Sequence, residues 1–174
     1  MLKKAVEEAI NEQIKQEFSS AYVYLAMSAY FESKNFAGFA KWMRLQHEEE
    51  LAHAMRLFDY VHDRGGQVAL HGIEPPPTDF SGPLDVFEQA LTAERTVTQL
   101  INDLYRLAGD EKDPATEVAL EWFISEQVEE EKTAEEIVEK LKLIGNNGMG
   151  LFMLDQELGA RQRADSADAT SEAG

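Results

Sequence analysis

The sequence has no cysteine, which excludes disulfides, thiolate-bound iron centres and thiol catalysis and permits a reducing cytoplasm. Any metal site must therefore be built from Glu, Asp, His and Gln. Long apolar runs are also missing: none approaches the ~18 residues a bilayer span needs. The opening Met1-Leu2-Lys3-Lys4-Ala5-Val6-Glu7-Glu8 turns polar too early for a signal-peptide core. A soluble, cytoplasmic protein without a membrane partner is expected. Positive charge is scarce, with 16 Lys and Arg against 33 Asp and Glu and a formal net charge of −17. That balance argues against nucleic acid as a partner and leaves two readings of the acids, plain solubility or attraction of cations.

Strand patterns are nearly absent, and what is present is helical periodicity. Punctuation divides the 174 residues into long helical stretches at about 2–33, 36–64, 83–110 and 114–144, with a shorter one near 148–160. Asp113-Pro114 reads as an N-cap followed by proline in the first turn, while Gly65-Gly66 and Gly145-Asn146-Asn147-Gly148 read as helix ends. The connections at 34–35 and 111–113 are short enough to force antiparallel hairpins. Residues 65–82 are different, because 18 extended residues reach up to about 59 Å. A helix of 28 residues is only about 42 Å long, so this segment, with Pro75-Pro76-Pro77 in it, can return the chain along the whole bundle. The expected fold is therefore all-α, a four-helix bundle with one long crossover plus a short fifth C-terminal helix. Residues 1–160 are expected to form one domain. The tail from Arg161 to Gly174 lacks large apolar residues and is expected to be disordered.

The core stripe of each long helix should be apolar, yet each is interrupted near its middle. The first stripe runs Val6, Ile10, Ile14, Glu17, Ala21, Tyr24, Ser28, and the second Phe39, Met43, Gln46, Glu50, His53, Leu57, Tyr60. The third carries Glu94 between Leu91 and Ile101, and the fourth Gln127 and Glu130 between Phe123 and Ala134. Glu17 precedes Glu50-x-x-His53 by 33 residues, and Glu94 precedes Gln127-x-x-Glu130 by the same 33. Burying one unpaired carboxylate costs several kcal/mol, so four at one level require protons or cations. Residues three apart share a helix face, so each pair aims at one point. One carboxylate from each of two helices and a two-residue motif from each of the other two is the known plan of di-iron bundles. A lone Glu-x-x-His on an acidic helix usually marks a solvated face; the register of four interruptions is what points to metal. His47-Glu48-Glu49-Glu50 superficially suggests the zinc-protease motif, but position 51 is Leu, and His47 is expected at the surface. His62 and His71 are expected to be exposed.

Taken with the segments NEQIKQEFSSAYVYLAMSAYF, GFAKWMRLQHEEELAHAMRLFDYV, RGGQV, EPP and EWFISEQVEEEK, the chain resembles the non-haem ferritins of bacteria and archaea over residues 2–160. That resemblance implies that Glu17, Glu50 and His53 ligate a first iron, that Glu94, Glu130 and a bridging Glu50 hold a second, and that Gln127 neighbours the second. It also implies a third, inner iron site at Glu49, Glu126 and Glu129, for which an ordinary solvated acidic face is the bland alternative. Tyr24 matches tyrosines that lie beside the iron pair and can give up an electron, although a packed core tyrosine is a comparable reading. Trp122 is expected to serve in packing. Bacterioferritins place a second Glu-x-x-His on the fourth helix and a methionine after the motif glutamate on the second; here stand Gln127-x-x-Glu130 and Leu51, so no haem is expected. Rubrerythrins add a cysteine-bound iron domain, and mini-ferritins lack the fifth helix.

The resemblance further implies a ferroxidase that oxidises Fe(II) with O2 or H2O2 and stores Fe(III) as mineral inside a homo-oligomeric shell of 24 copies. One chain of this length cannot enclose a store, so a symmetric assembly is required. Two rivals remain: a di-iron peroxidase or oxygenase that stores nothing, and a structural bundle whose buried acids are charge-paired. The second lacks cations, because Arg44, Arg56, Arg95 and Arg106 all fall off the core stripes.

Overall fold

The computed structural model describes residues 2–162, and among these it contains five helices and no strand. They are α1 (Lys4–Ser33), α2 (Ala37–Asp63), α3 (Pro83–Asp110), α4 (Pro114–Ile144) and α5 (Gly148–Gly159). The ends read from the sequence differ from these by at most two residues. Asp113 caps α4 by accepting from the Thr116 amide, and Pro114 occupies the first turn, where its missing N–H costs nothing. Both Asp113 oxygens also accept from Arg64 Nη2, at 2.9 and 3.0 Å, so the end of α2 is tied to the start of α4. Gly65 and Gly145 take φ values of +67° and +55° just past α2 and α4, a conformation in which a side chain would be strained.

Chain direction follows from two separate apolar cores. One gathers the starts of α2 and α3 (Phe39, Trp42, Phe87) with the ends of α1 and α4 (Phe31, Ile137, Leu141). The other gathers the ends of α2 and α3 (Leu57, Val61, Ile101, Leu104) with the starts of α1 and α4 (Val6, Ile10, Leu120, Phe123). Helices α2 and α3 are therefore parallel to each other and antiparallel to α1 and α4, the one-crossover topology. The crossover is held at both ends of α1. Asn11 donates to the Gln67 carbonyl and accepts from the Ala69 amide, each at 3.0 Å, and Phe80 meets the Tyr30 ring edge-on at 5.2 Å.

α5 docks on the start of α2. The Phe36 side chain makes no capping hydrogen bond there, and Asp155 of α5 supplies an acceptor instead, taking the Phe39 amide at 2.9 Å. The helices approach so closely that a Cβ on Gly38 would lie 1.7 Å from the Asp155 carbonyl oxygen, which is why glycine stands there. Leu154 and Leu158 turn into the core, while Met149, Phe152 and Met153 stay exposed. Of the expected tail, Arg161 is anchored on α2 rather than free, and residues 163–174 lie outside the described part of the chain.

Candidate metal centre

The layer between the two apolar cores holds the interruptions of the four stripes. Glu17, Glu50, His53, Glu94 and Gln127 are buried, and Glu130 is nearly so. One ligand-type atom from each of Glu17, Glu50 and His53 falls within 4.8 Å of the others, and the same holds for Glu50, Glu94 and Glu130. Glu50 belongs to both groups, so two cation positions share it. The His53 ring lies between the hairpins: Nδ1 is 3.9 Å from Glu17 Oε2 and from Glu50 Oε2, and Nε2 is 4.0 Å from Glu130 Oε1.

Electrostatics describe a site short of positive charge. Burial pushes the Glu17 carboxyl up to about 7, with Glu94 adding to the rise and hydrogen bonds from Glu50 and Gln13 opposing it. Burial also raises Glu50, reinforced by Glu94, Glu17 and Glu130, and raises Glu130, reinforced by Glu94 and Glu17. Glu94 rises by burial against hydrogen bonds from Tyr24 and Gln127. His53 moves the other way, down to about 4, through burial and the nearby Arg56 charge. A neutral imidazole makes no ion pair with these acids and keeps a lone pair for a metal. Glu17 Oε2, Glu50 Oε2 and Glu130 Oε2 are buried with no hydrogen-bond partner. Native proteins leave few such atoms; two of these three lie 3.9 Å from His53 Nδ1 and the third is on Glu130, whose other oxygen faces Nε2, a set that suits a divalent cation with hard oxygen preference.

The surrounding side chains fix the acids. Tyr24 donates its hydroxyl to Glu94 Oε1 and is fully buried, its own pKa pushed well up by burial and by Glu94 and Glu50. Gln127 Nε2 donates to Glu94 Oε2 at 3.2 Å and to the Glu94 carbonyl at 3.2 Å. Gln13, one turn before Glu17, donates to Glu17 Oε1 at 2.7 Å, a role readable from its spacing but not drawn from the sequence. Trp122 packs as expected: it meets the His53 ring edge-on at 5.3 Å, and Arg56 lies 4.0 Å over its face.

Not every expected residue joins the centre. Glu49, Glu126 and Glu129 do not meet the 4.8 Å spacing of the two groups above. Glu49 faces Arg161, whose Nη2 lies 2.8 and 3.0 Å from its two oxygens. Glu126 and Glu129 are near enough to repel, since Glu126 is raised by burial and then by Glu129 and Glu49. His47 is not a free surface residue; it is half-buried, with Nδ1 2.8 Å from the Ala21 carbonyl, and links α2 to α1. A half-polar helix face hides such a bond from sequence patterning. His62 and His71 are exposed as expected.

The known ferritin-like domain family matches residues 7–144 of this chain. Bacterial non-heme ferritin of Bacteroides fragilis is 45% identical over 161 residues, 92% of this chain and 100% of that protein. The protein of the same name from Staphylococcus aureus is 37% identical over 92% of this chain and 97% of its own length. Among solved structures, an open-pore ferritin from the archaeon Archaeoglobus fulgidus superposes with a TM-score of 0.92 at 48% identity, covering 93% of this chain and 100% of that one. A closed form of the same archaeal ferritin, made by site-directed mutagenesis, gives 0.93 at 47% identity over 94% and 100%. The chain belongs to the ferritin family of iron-storage proteins. No helix of the described chain is long and apolar enough to cross a membrane.

Proposed function

We propose that this protein is a cytoplasmic ferroxidase that oxidises Fe(II) inside the bundle and deposits Fe(III) as mineral within a hollow shell of 24 copies. The observation carrying this reading is the set of three unpartnered carboxylate oxygens, on Glu17, Glu50 and Glu130, buried with a neutral His53 at one level of the bundle. Glu17, Glu50 and His53 take one Fe(II), and Glu50, Glu94 and Glu130 take the other, with Gln127 holding Glu94 in place. Cation binding displaces the protons that burial holds on these acids. Each Fe(II) gives up one electron. The pair reduces dioxygen with two protons to H2O2, or H2O2 with two protons to two waters.

Carboxylates favour Fe(III) over Fe(II), because the more highly charged ion gains more from anionic oxygens, and this eases oxidation. A single imidazole among them leaves positions open for the oxidant and lets ferric product leave. Tyr24, bonded to Glu94, is placed to lend an electron and proton when the two iron electrons do not suffice. Acids Glu49, Glu126 and Glu129 serve as a third position that iron passes through on its way to storage.

Replacing Glu50 removes the ligand shared by both positions. In stopped-flow mixing of Fe(II) with air-saturated buffer, and separately with H2O2, Glu50→Ala is expected to slow oxidation by about 100-fold or more while the assembled helical protein persists. Oxidation at the unmutated rate in Glu50→Ala with either oxidant would overturn the assignment.

A further inference from the structure

Gln46 interrupts the core stripe of α2 one turn before the metal layer, and the paired metal positions make no use of it. It is buried, and its amide oxygen accepts from Arg161 Nη1. Arg161 Nη2 forks the two oxygens of Glu49, and the guanidinium carbon sits 5.3 Å over the ring of Trp42. Three residues of α2, at 42, 46 and 49, thus follow one helix face and grip one cation. That geometry is fixed from the other side by the docking of α5, through Asp155 on the Phe39 amide and Lys41 on the Gly159 carbonyl at 2.8 Å. Arg161 is two residues past Gly159, so its backbone has little freedom to place the side chain elsewhere.

A guanidinium nitrogen bonded to both oxygens of a carboxylate takes up lone pairs a metal would use and sets a positive charge beside them, so those oxygens bind a second cation more weakly. The occupied carboxylate is Glu49, next in sequence to the bridging Glu50 and near enough to Glu126 and Glu130 to act on both. We propose that Arg161 is an internal cation that holds Glu49 back from iron, so that Arg161 governs whether Glu49, Glu126 and Glu129 take up a third ion. This rests on the metal reading above. Release of Arg161 frees Glu49 to turn toward the other two acids. Trp42 and Gln46 form the cradle that recaptures the guanidinium when the ion leaves. Arg161 is thus a positioning residue acting through Glu49, with no contact to the iron pair itself.

The test is anaerobic titration of the full-length assembled protein with Fe(II) by calorimetry, with far-ultraviolet dichroism as the folding control. Arg161→Gln is expected to leave the first two ions per chain unchanged and to tighten a third by about tenfold. Arg161→Lys, which keeps the charge and loses the fork, is expected between the two. In Arg161→Gln combined with Glu49→Gln, the added affinity is expected to vanish. Should Arg161→Gln fail to assemble, Zn(II) titration of a Trp122→Phe chain decides, because its emission then reports on Trp42 alone; a change tied to the third ion supports the clamp and a flat signal there overturns it. Equal third-ion affinity with and without Arg161, or a gain that survives loss of Glu49, overturns the proposal. Failure of the unmutated chain to bind even two ions would instead overturn the paired-metal reading.

Discussion

The two helical hairpins carry the same 33-residue spacing and complete it with different chemistry. The α1–α2 hairpin ends its motif in Glu50 and a neutral His53, and leaves oxygens of both Glu17 and Glu50 without partners. The α3–α4 hairpin puts Gln127 where the first has Glu50 and Glu130 where the first has His53, and its Glu94 is already bonded by Tyr24 and Gln127. An amide in place of a carboxylate converts a ligand into a tether. The first half thus leaves two unpartnered oxygens and the second only Glu130 Oε2, so on the proposed function the first grips a cation harder and the second exchanges some binding strength for a fixed geometry. On the proposed function such asymmetry suits turnover, because a site that bound both ions equally hard would retain its product.

Changes to the first half should accordingly outweigh changes to the second. His53→Ala removes the one nitrogen donor and is expected to slow stopped-flow iron oxidation by about 100-fold, whereas Gln127→Ala, which frees Glu94 without removing a charge, should slow it only several-fold. Equal losses in the two variants would erase the distinction. Tyr24→Phe keeps the ring packed on Trp42, 6.4 Å away, and removes only the hydroxyl on Glu94. Its expected cost is about threefold to tenfold in rate, together with loss of any tyrosyl radical signal in freeze-quenched samples.

The metal-free protein should show the strain of its acids as a pH dependence. A carboxyl raised in the fold, as Glu17 is to about 7, contributes stability that is present below its unfolded value of 4.5 and lost as pH rises through 7. His53 has the opposite sign: lowered to about 4, it contributes above 6.5 and loses that contribution as pH falls through 4. Four raised acids outweigh one histidine, so melting of the metal-free protein should fall by several degrees between about pH 5 and about pH 8. Glu17→Gln should flatten that slope, and an unchanged slope in dichroism melts would contradict the assignment. The smallest effect on chemistry is expected far from the layer. Asp113→Ala leaves Arg64 without its fork and α4 without its cap, lowering stability by about 2 kcal/mol in urea unfolding while leaving the oxidation rate at saturating iron unchanged.

The sequence made the bundle legible because each signal was local: the 33-residue repeat, Asp113-Pro114, and glycines where the backbone turns left-handed at Gly65 and Gly145. The crossover followed from a length limit, and the structure shows its Asn11 and Phe80 anchors only as details of that path. The paired acids were visible because charge at a core position is costly. Other contacts were hidden because they join distant residues whose types are unremarkable. His47 reaches a carbonyl on α1, Asp155 caps a helix that starts over a hundred positions earlier, and Arg161 grips Glu49 from beyond the last apolar residue of α5. Composition assigned Arg161 to a free tail; docking of α5 overrides composition there. The third acid set was read as one cluster, whereas the fold occupies one of its members with a guanidinium, a competition that no spacing rule on α2 and α4 contains.

The most direct measurement adds Fe(II) anaerobically, admits air, follows ultraviolet absorbance, and then passes the product through size-exclusion chromatography with iron analysis of the peak. Fast oxidation with on the order of hundreds of irons co-eluting in a large particle is the expected result for a storing shell. About two irons per chain retained in a small species would contradict storage and identify a di-iron enzyme instead.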